Sequence, residues 1–138
     1  MKNRRKGFTL IELLIVVVIV GILALAAIPL ITSNTRDARR AEGEQILGSM
    51  KGQVRVAYAK LGAHTGITTL TGAIGTGGCG VQAAERTGKY FVVADSVSNK
   101  SNTSASLTAN AQAGNSSDGG CVLTFQWGGG DGAFVWSP

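Results

Sequence analysis

An α+β fold, in which one long N-terminal helix packs on a small antiparallel sheet, is predicted by three features of the sequence. Residues 13–31 run for nineteen positions without a charge. Ile46, Met50, Val54, Ala57 and Leu61 then recur at helical spacing. Beyond residue 88, short β-branched and aromatic runs alternate with polar, glycine-rich connections.

The first feature is an apolar helix. Rising about 1.5 Å per residue, it reaches roughly 29 Å, about one bilayer core. Lys2, Arg4, Arg5 and Lys6 stand before it and supply most of the +5 net charge, leaving nine basic against eight acidic residues elsewhere. A basic cluster at the mouth of an apolar helix follows the positive-inside rule, so the N-terminal end is assigned to the cytoplasm and no nucleic-acid partner is expected. Ala24-Leu25-Ala26-Ala27 also has the small residues of an ordinary signal-peptide cut. Against that reading stand the length of the run and Glu12 near its start. A carboxylate at mid-membrane costs roughly 2.5–3.5 kcal/mol, and a disposable signal has no use for it.

The stretch Lys6-Gly7-Phe8-Thr9-Leu10-Ile11-Glu12-Leu13, followed by the apolar run, resembles the leader junction of type IV pilins and type II secretion pseudopilins. The resemblance covers about residues 4–30. It implies a leader of residues 1–7 and a membrane peptidase that cuts between Gly7 and Phe8 and methylates the new amine of Phe8. It implies a helix that stays in the inner membrane as residues 8–31 and later enters a filament core. It also implies a pilin-like domain over residues 32–138, an α/β roll. Glu12 would then set the register of incoming subunits by meeting a neighbour's N-terminal amine. Physics leaves two partners open, since Phe8 and Glu12 of one chain are also a helical turn apart. Pairing of either kind avoids an isolated charge in an apolar bundle.

Gly21 and Pro29 interrupt the strong helix signal, and both are expected to lend this segment flexibility. The helix should continue past the membrane to about residue 61 as the amphipathic stripe, with Gly62 as its cap. Gly43, Gly48 and Gly52 either admit close packing or weaken the rod.

Residues 62–88 read as a loop. Its Gly75-Thr76-Gly77-Gly78-Cys79-Gly80 stretch lacks the preceding strand and following Lys-Ser/Thr of a phosphate loop. Strands are expected at 89–94, 104–109, 121–127 and 133–136, with a hairpin through Gly128-Gly129-Gly130-Asp131-Gly132. Cys79 and Cys121 both fall on the exported side, where disulfides persist. A bridge between them would close a loop of about 43 residues, worth about 4 kcal/mol; the other reading is two unpaired small hydrophobic residues. Pilin disulfides commonly join two late cysteines, so the family feature does not carry over to Cys79.

No catalytic constellation is present. His64 is the single histidine, no nucleophile has a base and an orienting partner, and Asp95, Asp118 and Asp131 are scattered over loops. No enzyme activity, metal or cofactor is therefore expected. The function implied is a structural subunit of a type IV pilus. It would polymerise with its own copies, with the peptidase and the assembly machinery as further partners. A type II secretion pseudopilin is the alternative, and a secreted binding domain with an ordinary signal is a more distant one. The chain has only Pro29 and Pro138, without the Tyr-Pro-rich segment usual after the helix of major pseudopilins.

Overall fold

The computed structural model describes residues 7–137. The basic cluster and most of the expected leader lie outside these residues. The chain divides into two compact units, Met1–Arg36 and Asp37–Pro138.

One helix, α1 (Leu10–Leu61), runs 52 residues with Pro29 inside it. Proline lacks the amide hydrogen that an interior helical position needs. Nearby hydroxyls turn back onto the backbone: Thr32 donates to the Pro29 carbonyl at 2.9 Å and Thr35 to that of Ile31 at 2.8 Å. In the first unit, every large apolar side chain from Phe8 to Ile31 is at least half exposed, from 52% at Ile15 to 91% at Phe8. Among the described residues, α1 is the one helix long and apolar enough to cross a membrane.

The second unit holds the core. A four-stranded antiparallel meander, β1 (Phe91–Val93), β2 (Ser104–Ala111), β3 (Gly120–Gln126) and β4 (Ala133–Ser137), is ordered β1-β2-β3-β4. Leu107 pairs with Leu123, and Leu123 with Phe134. Alternation sends Cys121, Leu123 and Phe125 of β3 inward, while Thr124 and Gln126 face out. The inward side meets Leu47, Met50, Val54 and Ala57 of α1.

The helix seam departs from the expected stripe. Gly43, Leu47, Met50, Val54 and Ala57 are buried, whereas Ile46 and Leu61 lie at the margin. The shift begins at Gly43, where a β-carbon would sit 3.2 Å from Phe91 and 3.3 Å from Trp136. A bare backbone at that position lets the aromatics press onto the helix and turns it toward Leu47. Gly48 and Gly52 have nothing within 4 Å of a β-carbon. Close packing therefore explains one of the three glycines within the subunit.

The strands fall near their expected places, with the larger changes of length in β1 and β2. β1 is short at its start, where Gly88 N–H turns to the Phe91 carbonyl at 2.8 Å and Tyr90 N–H to Glu42 at 3.0 Å, while the Tyr90 carbonyl still accepts Gln112 N–H at 2.8 Å. β2 instead runs on to Ala111, which pairs with Phe91. The 62–88 segment contains a 3-10 helix, Ala83–Arg86, and is tied to the sheet. Leu70 N–H bonds the Asp95 carbonyl, and the Asp95 carboxylate accepts bonds from Thr71 N–H at 2.8 Å and Thr71 hydroxyl at 2.6 Å.

Cys79 and Cys121 are buried free thiols. The bridge expected between them is not formed in the structure. Cys121 pairs with Ala109, and Ala109 with Val93. Past β1, Asp95 bonds Leu70, whose carbonyl accepts the Cys79 N–H. The two cysteines thus stand at opposite ends of a path that crosses β2, the continuation of β1 and the Leu70 segment.

Candidate assembly site

Phe8 and Gly7 are exposed ahead of the helix, with nothing within 4 Å of a β-carbon at Gly7. The junction is sterically open on the described side. Thr9 is the last non-helical residue, and α1 starts at Leu10. Thr9 N–H and the Thr9 hydroxyl both donate to Glu12 Oε2, at 2.9 and 2.8 Å, and Glu12 N–H points at the Thr9 hydroxyl at 3.4 Å. This is a capping box, which satisfies backbone donors that a helix start leaves without partners.

Two consequences follow for Glu12. Its negative charge sits in the first turn, where the helix dipole favours an anion. Both Thr9 donors converge on one oxygen, and Glu12 Oε1 has no hydrogen-bond partner among the described residues. The carboxylate is thus held in place with an acceptor still free. Thr9 was missed as a functional residue, although the Thr9-x-x-Glu12 spacing before an apolar run is the capping-box signal.

Gly21 lies mid-helix with open space around it, and Pro29 lies eight residues further along. Cys79 and Cys121 belong to the core of the second unit and take no part here. Burial pushes both thiols up to about 11, keeping them protonated at neutral pH.

A second polar cluster escaped the sequence reading. Asp118 is fully buried, and its carboxylate takes two parallel bonds from Arg39 at 2.7 and 2.8 Å. Those bonds hold the Arg39 guanidinium above its ordinary value. Arg40 donates to the Asp118 carbonyl at 3.1 Å and lies 4.8 Å from the centre of the Trp136 ring. Trp136 in turn donates its indole N–H to Glu44 at 2.8 Å. The cluster fastens the β2–β3 connection and β4 to α1. At Asp95, burial alone would raise the carboxyl, but the Thr71 bonds and the Arg86 charge outweigh it and hold it below the usual carboxylate range. Trp127 stacks on Tyr58 at 5.0 Å, with His64 beyond it at 6.1 Å. No group of three metal-ligating side chains occurs among the described residues.

The prokaryotic N-terminal methylation motif matches residues 2–28. A fimbrial protein of Eikenella corrodens, EcpC, is 31% identical over 138 residues, covering 99% of this chain and 83% of that protein. FimA, a type IV major fimbrial protein of Dichelobacter nodosus, is 49% identical over 57 residues, 41% of this chain and 34% of that protein. A fimbrial protein of Neisseria meningitidis is 40% identical over 72 residues, 52% of this chain and 42% of that protein. No solved structure matches.

Proposed function

Because the chain belongs to the type IV pilin family, we propose that it is a structural subunit of a type IV pilus, cut between Gly7 and Phe8, methylated at Phe8 and polymerised through its N-terminal helix. The observation that carries this reading is an uncovered apolar helix with one capped carboxylate, Glu12, at its start. Seventeen large apolar side chains stand exposed from Phe8 to Ile31. At about 1.5 kcal/mol or more each, leaving them in water would cost more than about 25 kcal/mol, above the whole stability of a typical domain. The helix therefore needs an apolar surrounding at every stage.

Lipid supplies that surrounding while the subunit waits, with the N-terminus on the cytoplasmic side, and other copies of the helix supply it in the filament. Exchange between the two gives little hydrophobic gain, because acyl chains are as apolar as leucine. Helix packing and charge pairing must then favour the polymer, with work supplied by the assembly machinery. Glu12 meets the methylated amine of a neighbouring Phe8 through its free oxygen, and a subunit out of register leaves both charges without partners in an apolar core. The fimbrial names of the relatives and the lack of proline after residue 29 until Pro138 favour a pilus over a secretion pseudopilus.

N-terminal sequencing and intact mass of the mature chain test the proposal. A start at N-methylated Phe8 is expected. A start near Ala27 would make the helix a disposable signal and end the filament reading.

A further inference from the structure

Residues 67–81 contain no helix or strand, yet they hold their shape through bonds of their own. Thr68 N–H and Thr69 N–H both bond the Gly77 carbonyl, at 2.8 and 3.0 Å. Cys79 N–H and Val81 N–H bond that of Leu70 at 3.2 and 3.1 Å, and Gly80 N–H bonds that of Gly72 at 2.8 Å. A β-carbon at Gly78 would collide with the Gly72 carbonyl, so the two arms lie in direct backbone contact. From this loop Ile67, Leu70, Cys79 and Val81 join the core.

Its attachments are confined to one place. Apart from a local bond between Ile67 N–H and the His64 carbonyl, every hydrogen bond leaving 67–81 among the described residues goes to residues 95–100. Leu70 N–H bonds the Asp95 carbonyl at 2.7 Å, Val97 N–H the Thr68 carbonyl at 3.0 Å, and Lys100 Nζ the Ile67 carbonyl at 2.6 Å. Thr71 N–H and the Thr71 hydroxyl take the two oxygens of Asp95. That side chain is 39% exposed, so water competes for both oxygens. Beside it, Arg86 Nε is buried without a hydrogen-bond partner, 3.6 Å from Asp95 Oδ1, the oxygen that Thr71 N–H occupies. A buried donor left alone is costly. A small turn of the carboxylate gives Arg86 its missing bond and releases Thr71, which lowers the cost of letting go.

We propose that residues 67–81 open and close as one unit, a strap latched through Asp95, while α1 and the four strands stay folded. Local opening favours a segment that coheres internally and is anchored over a short stretch, and this one meets both conditions. The two thiols report on it. Cys79 lies on the strap, whereas Cys121 lies on β3, paired with Ala109 of β2 on one side and Trp136 of β4 on the other. Opening uncovers Cys79 and leaves Cys121 closed. Burial pushes both thiols up to about 11, so unequal reaction rates reflect exposure and not acidity.

The test is alkylation of the folded, detergent-solubilised full chain with iodoacetamide, each cysteine followed separately by peptide mass mapping. Cys79 is expected to react about tenfold faster than Cys121 or more. Thr71→Val removes a bond to a charged partner and should quicken Cys79 about tenfold, while Thr71→Ser should keep the native rate. Neither variant should change Cys121, whose rate follows the whole fold. Equal rates at the two thiols, or no reaction at either, would overturn the strap. An unchanged Cys79 rate in Thr71→Val, or an equal rise at both thiols, would overturn the latch. The outcome does not depend on how the N-terminus is processed.

Discussion

Arg39 holds a fully buried carboxylate, Asp118, in a two-pronged grip at 2.7 and 2.8 Å. The two residues are 79 positions apart, and their pairing fixes the β2–β3 connection to α1. Removing one partner from a buried ion pair costs far more than replacing both with apolar residues. Arg39→Ala is therefore expected to lower the unfolding midpoint, and Arg39→Met with Asp118→Leu to recover most of that. Denaturant unfolding of the detergent-solubilised chain checks both, and an unchanged midpoint for Arg39→Ala would show the pair to be weakly coupled to the fold.

Glu12 is satisfied at one oxygen by Thr9 and open at the other. Glu12→Ala should still be cut and methylated yet yield few filaments, because incoming subunits lose their register. Thr9→Val removes the hydroxyl bond and keeps the backbone bond, so an intermediate yield is expected. Sheared-filament yield beside the mature mass reads both effects, and wild-type yield from Glu12→Ala would remove the register role.

Gly43 differs from its two neighbours in kind. A side chain there meets Phe91 and Trp136, so Gly43→Val should destabilise by about 1–3 kcal/mol through overpacking. Gly48→Ala and Gly52→Ala enter open space in a helix and should each stabilise by up to about 1 kcal/mol. Thermal unfolding of the solubilised subunit distinguishes the two classes by sign.

The thiols give a test in pH. Both are raised from 9.0 to about 11 in the fold, so the native state holds its protons more tightly than the unfolded chain. Their contribution is fully present below pH 9 and is lost as pH climbs toward 11. Unfolding stability should fall across that window, and less steeply in the Cys79→Ala, Cys121→Ala double variant. Thiol titration in denaturant without reductant should find two free thiols per chain, whereas none would indicate a bridge.

What the sequence determined by itself is local. Nineteen uncharged residues, Glu12 and Pro29 bear on one helix and its immediate neighbours, so the long apolar helix was legible without a fold, although the Thr9 cap at its start was passed over. The strands were legible too, because β-branched and aromatic runs between glycine turns, such as those read at 121–127 and 133–136, mark themselves and fall within a residue of β3 and β4. Tertiary structure decided the rest. Ile46 and Leu47 are equally apolar, and only Phe91 and Trp136 closing on Gly43 places Leu47 at the seam. Asp118 read as a loop acid until Arg39 met it from 79 residues away, and the cysteines, readable as a bridge or as two unpaired residues, stand in the core as free thiols. Contacts between distant segments depend on how elements pack, and pattern along the chain does not encode which long-range partner a charge or a thiol will find.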